Sequence, residues 1–230
     1  MISNRFAFVQ LLDSALPIGG FSHSFGLEAY VQEGKINDVK QLEAYIVGQL
    51  HAGWVRLEGL AIKGVYAALD RDRDDLHSIV RLDQIIHVQR IAKESREGIQ
   101  KMGKRLLKLA VAMYPELAVT AFERVLVQRG GYCTLPIVFA WICHHLKVDL
   151  ETTVEGYLYT NITTTVNSAL RLMSIGQTEG QVLIRRLQPI AHEQWLMVRD
   201  LAPDQLHSFT PAHDIRAMKH ETLYSRLFMS

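Results

Sequence analysis

The residues that could do chemistry are ten histidines, two cysteines and one glycine-rich turn. The turn Gly19-Gly20-Phe21-Ser22-His23-Ser24 has the flavour of a phosphate loop. It lacks the Gly-Lys-Ser/Thr ending that supplies a cation to phosphate and a hydroxyl to magnesium, and no predicted strand leads into it. Gly20 and Ser22 also fit the start of a hydrolase nucleophile elbow. Ser24 stands where the second glycine belongs, and the strand-to-helix turn that activates such a serine is missing. His192-Glu193 and His220-Glu221 each open a zinc-protease pattern. Leu196 and Tyr224 occupy the position, one helical turn on, of the second ligand. His144 and His145 are adjacent, so on a helix they diverge by about 100° and form no chelating face. His207, His213 and His220 are loosely spaced along the tail. They are weak candidates for transient contact with a divalent metal, and surface histidines otherwise. No nucleophile–base pair can be placed, and the chain is not predicted to be an enzyme.

The elements carrying these residues are helical. Strand alternation and Asn-Gly or Asp-Gly hairpin turns are lacking, and apolar residues recur at three- and four-residue spacing nearly throughout. A short helix is predicted over residues 4–12, broken by Leu16-Pro17-Ile18-Gly19-Gly20. A second is capped by Ser22 or Ser24 and closed by Gly34. A third opens at Asn37 or Asp38, with Leu42, Tyr45, Ile46 and Leu50 on one face, and the pattern continues over 54–69. The run Asp70-Arg71-Asp72-Arg73-Asp74-Asp75 reads as a charged link. Long helices follow from Leu76 to about Gly98 and on to Met113. Pro115 starts or precedes the next, Gly130-Gly131 is a turn, and 136–146 reads as a buried helix with Pro136 in its first turn. Residues 151–174, 179–187 and 189–201 are three further helices. With 48% hydrophobic and 21% charged residues and no internal linker, residues 1–230 are expected to form one compact all-α domain of about ten helices.

Charge and composition narrow the partners. A net charge of +1 gives no global attraction to nucleic acid or anionic membrane. One local run is basic: Arg90, Lys93, Arg96, Lys101, Lys104, Arg105 and Lys108 against only Glu94 and Glu97. It reads as a solvated helix face or a dock for an acidic partner, and without interleaved aromatics it is no nucleic-acid platform. No apolar stretch reaches the roughly 18 residues of a membrane span, and the N-terminus lacks a signal-peptide core. Cys133 and Cys143 form no CxxC unit and read as buried thiols in a reducing compartment, so a cytoplasmic location is expected. The C-terminus is unusually apolar. As a helix begun at Pro211 it would pair Leu223 with Leu227 and Tyr224 with Phe228 at i,i+4. Such an end must fold back on its own core or dock on another protein.

Four stretches resemble the UreF family of urease accessory proteins. They are Leu12 through Glu28, including Pro17, Gly19, Gly20, Phe21, His23 and Ser24; Glu94-Ser95-Arg96-Glu97-Gly98 with Met102 to Leu107; Tyr157-Leu158-Tyr159 with Ser168 to Leu172 and Gly176 to Gln181; and Pro211 to Ser230. They run in order from residue 12 to the last. The resemblance implies an all-helical, non-catalytic urease maturation factor that pairs into homodimers. It implies binding to UreD (UreH in some organisms), recruitment of the GTPase UreG, and presentation of both to apo-urease, with nickel as transient cargo and no tightly bound cofactor. It further implies that residues 208–230 are a partner-docking tail, with His220, Glu221, Leu223, Tyr224, Arg226, Leu227 and Phe228 in contact. Tyr157, Tyr159 and Arg171 fall in the dimer-forming region. Two alternatives remain open: an activator of the GTPase through Arg96, Arg105, Arg171 or Arg226 supplied in trans, and a direct nickel chaperone using His207, His213 and His220.

Overall fold

Asp38, Asp75 and Asp149 each stand just before a helix and accept the backbone N–H three residues on, from Gln41, Ser78 and Thr152. Each such cap contributes about 1 kcal/mol and fixes where its helix starts. The computed structural model describes residues 4–73 and 75–230. Among these residues there is no strand. The helices are α1 (Asn4–Leu11), α2 (Leu27–Gln32), α3 (Val39–Gln49), α4 (Leu60–Arg71), α5 (Leu76–Gln89), α6 (Lys93–Met113), α7 (Val119–Gln128), α8 (Leu135–His145), α9 (Leu150–Leu172), α10 (Gln177–Val198) and α11 (Pro211–His220). A π-helical stretch, Leu50–Gly59, joins α3 to α4, so Val39–Arg71 is one continuous rod.

The centre is α8. Every residue from Leu135 to Cys143 is buried, as expected of a helix that is apolar all round. α4, α6 and α9 pack around it, and α10 lies outside α9. A buried carboxylate orders the approach to α8. Asp83 on α5 is fully enclosed and accepts from Cys133 N (2.9 Å), Thr134 N (2.8 Å), Thr134 Oγ1 (2.6 Å) and Tyr132 N. These bonds hold Cys133 at φ +59°. The Cys133 carbonyl is thereby pressed onto Gly103 of α6, where a Cβ would come within 2.0 Å of it. Both cysteines are buried, and burial pushes the Cys133 thiol up to about 12 and the Cys143 thiol higher still.

Several boundaries differ from the sequence expectation. α2 begins at Leu27, not next to Ser22 or Ser24, because Phe25 (φ +48°) and Gly26 (φ +89°) are left-handed and turn the chain first. The break expected near Gly98 falls at Arg90–Ala92 instead. Arg90 and Ala92 are extended there, and Arg96 covers the exposed carbonyls of Arg90 (2.9 Å) and Ile91 (3.1 Å). The charged link contracts, since Asp70 and Arg71 belong to α4 and Asp75 caps α5; Asp74 lies outside the described residues. The two helices expected at 179–187 and 189–201 are one, with Pro189 inside α10. Pro189 is exposed while Leu183, Ile184, Leu187, Ala191 and Trp195 are buried, so the carbonyl it leaves unpaired faces water and the packed stripe survives. Pro189→Ala restores that bond. The expected result is a gain of about 1–3 kcal/mol, read as a higher urea midpoint. An unchanged midpoint would mean that α10 has already relaxed around the proline.

The largest departure is the tail. α11 ends at His220, and residues 221–230 are not helical. The expected i,i+4 pairs Leu223/Leu227 and Tyr224/Phe228 therefore do not form. The tail backbone donates its N–H groups to the N-terminal segment instead.

Candidate functional site

Glu28, on the first turn of α2, is 2% exposed. A buried carboxylate needs donors, and the tail supplies them. Leu227 N (2.7 Å) and Phe228 N (3.1 Å) donate to its two oxygens, and His220 Nε2 lies 3.0 Å away. The other His220 ring nitrogen meets Glu94 at the start of α6 (2.6 Å), and the second Glu94 oxygen accepts from Arg226 (2.6 Å). His220 thus bridges two carboxylates, one at each ring nitrogen. Burial pushes the Glu28 carboxyl up, but the donors from Leu227, His220 and Phe228 outweigh it and hold the group below its ordinary value.

The last residue is fastened in the same way. The Ser230 main-chain oxygen accepts from Ser24 N (2.6 Å), Ser24 Oγ (2.8 Å) and Phe25 N (3.0 Å). Ser230 Oγ shares a 2.7 Å bond with His23 Nδ1, and Met229 N donates to Ser22 O (2.8 Å). His23 is buried, and burial, followed by the nearby charges of Lys101 and Arg105, lowers its pKa to about 4. Arg171 on α9 donates to Phe21 O (2.6 Å) and lies 4.3 Å over the Phe228 ring, and Ser168 Oγ reaches His23 O (3.4 Å). Gly98 on α6 leaves room for His23 and Phe25, whose ring atoms stand 3.1–3.2 Å from where its Cβ would be. Residues from four separate stretches (17–28, 94–98, 168–171 and 211–230) thus meet in one polar knot.

The knot divides the expected tail contacts. Phe228 (4% exposed) and His220 (0%) are internal in the single chain, Phe228 under Arg171 and His220 between Glu28 and Glu94. Tyr224, Leu227 and Met229 are exposed, Glu221 and Arg226 lie at the surface, and Leu223 is half-buried. In the turn, Pro17 and Phe21 are exposed while Gly19, His23 and Ser24 are buried and Gly20 is half-buried. Of the expected dimer residues, Tyr157 is buried (1% exposed) and packs against Phe139. Tyr159 is 37% exposed, and Arg171 is committed to the knot.

Three of the four arginines considered for the GTPase, Arg96, Arg171 and Arg226, are tied to carbonyls or to Glu94. Arg105 makes one long contact, to Ile18 O at 3.5 Å. The three tail histidines are not brought together. His207 is exposed and bonds Gln205 O; His213 packs against Tyr30 and Tyr45, with burial lowering its pKa to about 4; His220 sits between its carboxylates. Among the described residues no group of three His, Cys, Asp or Glu is arranged to hold a metal ion.

Behind the knot lies a cavity of about 280 Å³, bounded by the turn, α9 and the π-helical stretch. Its wall contains a buried ion pair between Arg90 and Glu58, whose second oxygen accepts from Asn161 Nδ2 (2.9 Å). Burial lowers the pKa of Arg90 from its ordinary value. Arg90 thus leaves the basic run, expected as one solvated face or acidic-partner dock, for an internal partner, and the sequence carries no separate expectation for Glu58. The available signal was a lone charge inside an otherwise apolar helical stripe. No helix of the described residues is long and apolar enough to cross a membrane.

The sequence profile of the UreF family matches residues 36–188. The chain is 38% identical over 221 residues to a urease accessory protein UreF of Bacillus sp. (strain TB-90), covering 96% of each. It is 37% identical over 226 residues to one from Lachnoclostridium phytofermentans, again 96% of each. It is 35% identical over 227 residues to one from Actinobacillus pleuropneumoniae serotype 5b, covering 97% of this chain and 98% of that one.

Proposed function

The chain belongs to the UreF family, and on that premise we propose that it is a urease maturation factor working as a non-catalytic scaffold. In this reading it joins UreD (UreH) to the GTPase UreG and presents them to apo-urease in the cytoplasm. Nickel passes through the assembly as cargo, and the chain works as a homodimer. The observation that carries the proposal is the knot. Residues spread over two hundred positions converge to fix a surface bearing Phe21, Tyr224, Leu227 and Met229, all more than half exposed. Rigid aromatic and apolar side chains on an ordered support are what a protein interface needs. A scaffold is favoured over a GTPase activator because three of the four candidate arginines, Arg96, Arg171 and Arg226, are held by the fold itself, which leaves Arg105 alone for that role. It is favoured over a nickel chaperone because His207, His213 and His220 point to different partners.

The test is urease activation in cells that express apo-urease, UreD and UreG at fixed low nickel. Activity is expected only when this chain is present. The triple substitution Tyr224→Ala, Leu227→Ala, Met229→Ala removes exposed contacts and leaves the buried donors in place. It is expected to lower activation by about tenfold or more with an unchanged circular dichroism spectrum, since interface anchors each contribute about 1–2 kcal/mol or more. Full activation by the triple variant would remove the tail from the partner surface.

A further inference from the structure

The proposal above leaves one charged surface without a task. On α6, Lys101, Lys104, Arg105 and Lys108 are exposed. At about 100° per residue they fall within an arc of about 100°, spread along about 10 Å of helix. Lys101 has one partner, the exposed Glu97 at 3.5 Å. Among the described residues Lys104, Arg105 and Lys108 make no ion pair. The opposite face of the same helix, with Ile99, Met102, Leu106, Leu107 and Ala110, is buried, so the cations stand on a support that cannot swing away. Like charges at one-turn spacing repel one another. The chain has 24 acids against 25 basic residues, and among the described residues only Glu97 pairs with this row.

The ridge is flanked on one side by the glycine-rich turn. Arg105 lies across the glycine-rich turn, where a side chain on Gly19 would collide with its guanidinium, and it reaches Ile18 O. The next feature along that turn is Phe21, 68% exposed. A row of cations flanked at Arg105 by a turn that carries an exposed aromatic ring calls for carboxylates at helical spacing with an apolar side chain beside them.

We propose that the Lys101–Lys108 ridge and Phe21 form a docking surface for an acidic helical segment of another protein in the maturation assembly, one with Glu or Asp at i, i+3/i+4 and i+7 and an apolar residue flanking that stripe. This rests on the scaffold reading and adds a partner chemistry to it. Nucleic acid fits less well. Four cations neutralise few phosphates, and a single ring offers no run of stacking platforms.

The experiment uses the full chain and a fluorescein-labelled helical peptide with Glu at those positions and a Leu flanking them, followed by fluorescence anisotropy. The expected result is saturable binding that weakens about tenfold or more between about 50 mM and about 300 mM salt. The triple variant Lys101→Glu, Lys104→Glu, Lys108→Glu should lose the Glu peptide and gain a charge-swapped Lys peptide. A Lys→Gln triple variant should bind neither. Swapped binding requires a folded ridge, so it separates lost docking from lost structure. Equal binding by wild type and the Glu variant would overturn the proposal. So would tighter wild-type binding to a DNA duplex or to phosphatidylserine vesicles than to the peptide. The activation assay separates the two readings. If the wild-type chain does not activate urease, the scaffold reading fails. If wild type and the Glu variant activate equally, only the ridge proposal fails.

Discussion

Glu28→Ala is expected to unfasten residues 221–230 while the helices stay folded. The carboxylate is the single acceptor for the Leu227 and Phe228 N–H groups and one of two partners of His220. Its loss leaves the buried Phe228 N–H without an acceptor and strips one side of an enclosed imidazole. Each orphaned buried group costs about 1–3 kcal/mol, so the closed tail should be destabilised by about 3 kcal/mol. Hydrogen exchange at Leu227, Phe228 and Met229 should then quicken by about a hundredfold, and cleavage after Arg226 should appear. α8 should keep its protection. Glu28→Gln preserves the shape but not the charge and should fall between. The pH response follows from the sign of the Glu28 shift. Its folded pKa lies below the ordinary 4.5, so its contribution is complete above about that value and is lost as pH falls through the lower folded one. Unchanged exchange at Phe228 in Glu28→Ala would mean that the Arg171 and Ser230 contacts hold the tail without it.

Arg90→Met should cost more, and globally. Glu58 would remain in the cavity wall, its side chain 2% exposed, with Asn161 as its one remaining hydrogen-bond donor. Breaking a buried pair from one side costs about 3–5 kcal/mol, a large share of the stability of an average domain. The urea midpoint should fall accordingly with an unchanged slope. The second substitution makes the test sharp. Arg90→Met with Glu58→Leu removes both charges and should recover most of the loss, because the penalty lies in the uncompensated carboxylate and not in the missing attraction. A double variant no more stable than Arg90→Met would show that the pair is needed for the α5–α6 bend itself, where Arg90 leaves the helix.

The all-helical fold and most helix starts could be read from the sequence, because spacing and caps are local signals. Leu42, Ile46 and Leu50 are buried as their spacing requires, and Asp38 caps the helix it precedes. Position 98 was misjudged as a break because Gly is a weak helix former. Here it is buried in mid-helix and gives space to His23 and Phe25, a requirement set by residues far away in sequence. The tail failed for the same reason. Periodicity suggests that Tyr224 pairs with Phe228, but the donors of residues 227 and 228 are claimed by a carboxylate two hundred positions earlier. The stretches that carry the family resemblance supply the residues that meet in the knot, though nothing in their order along the chain says that they meet. Asp83 and Glu28 could have been suspected as lone acids in apolar stripes, but nothing local tells such an acid which backbone it will hold.

The knot also sets an order of events. Ser230 is 207 positions from the His23 it bonds. During synthesis at roughly 5–20 residues per second the turn around His23 emerges about 10–40 s before that partner exists. Closing so long a loop against chain entropy is affordable only after α6, α9 and α11 have docked and carried the ends together. The surface built on the knot is therefore absent until Ser230 has been added and carried to the turn, long after the turn itself is made.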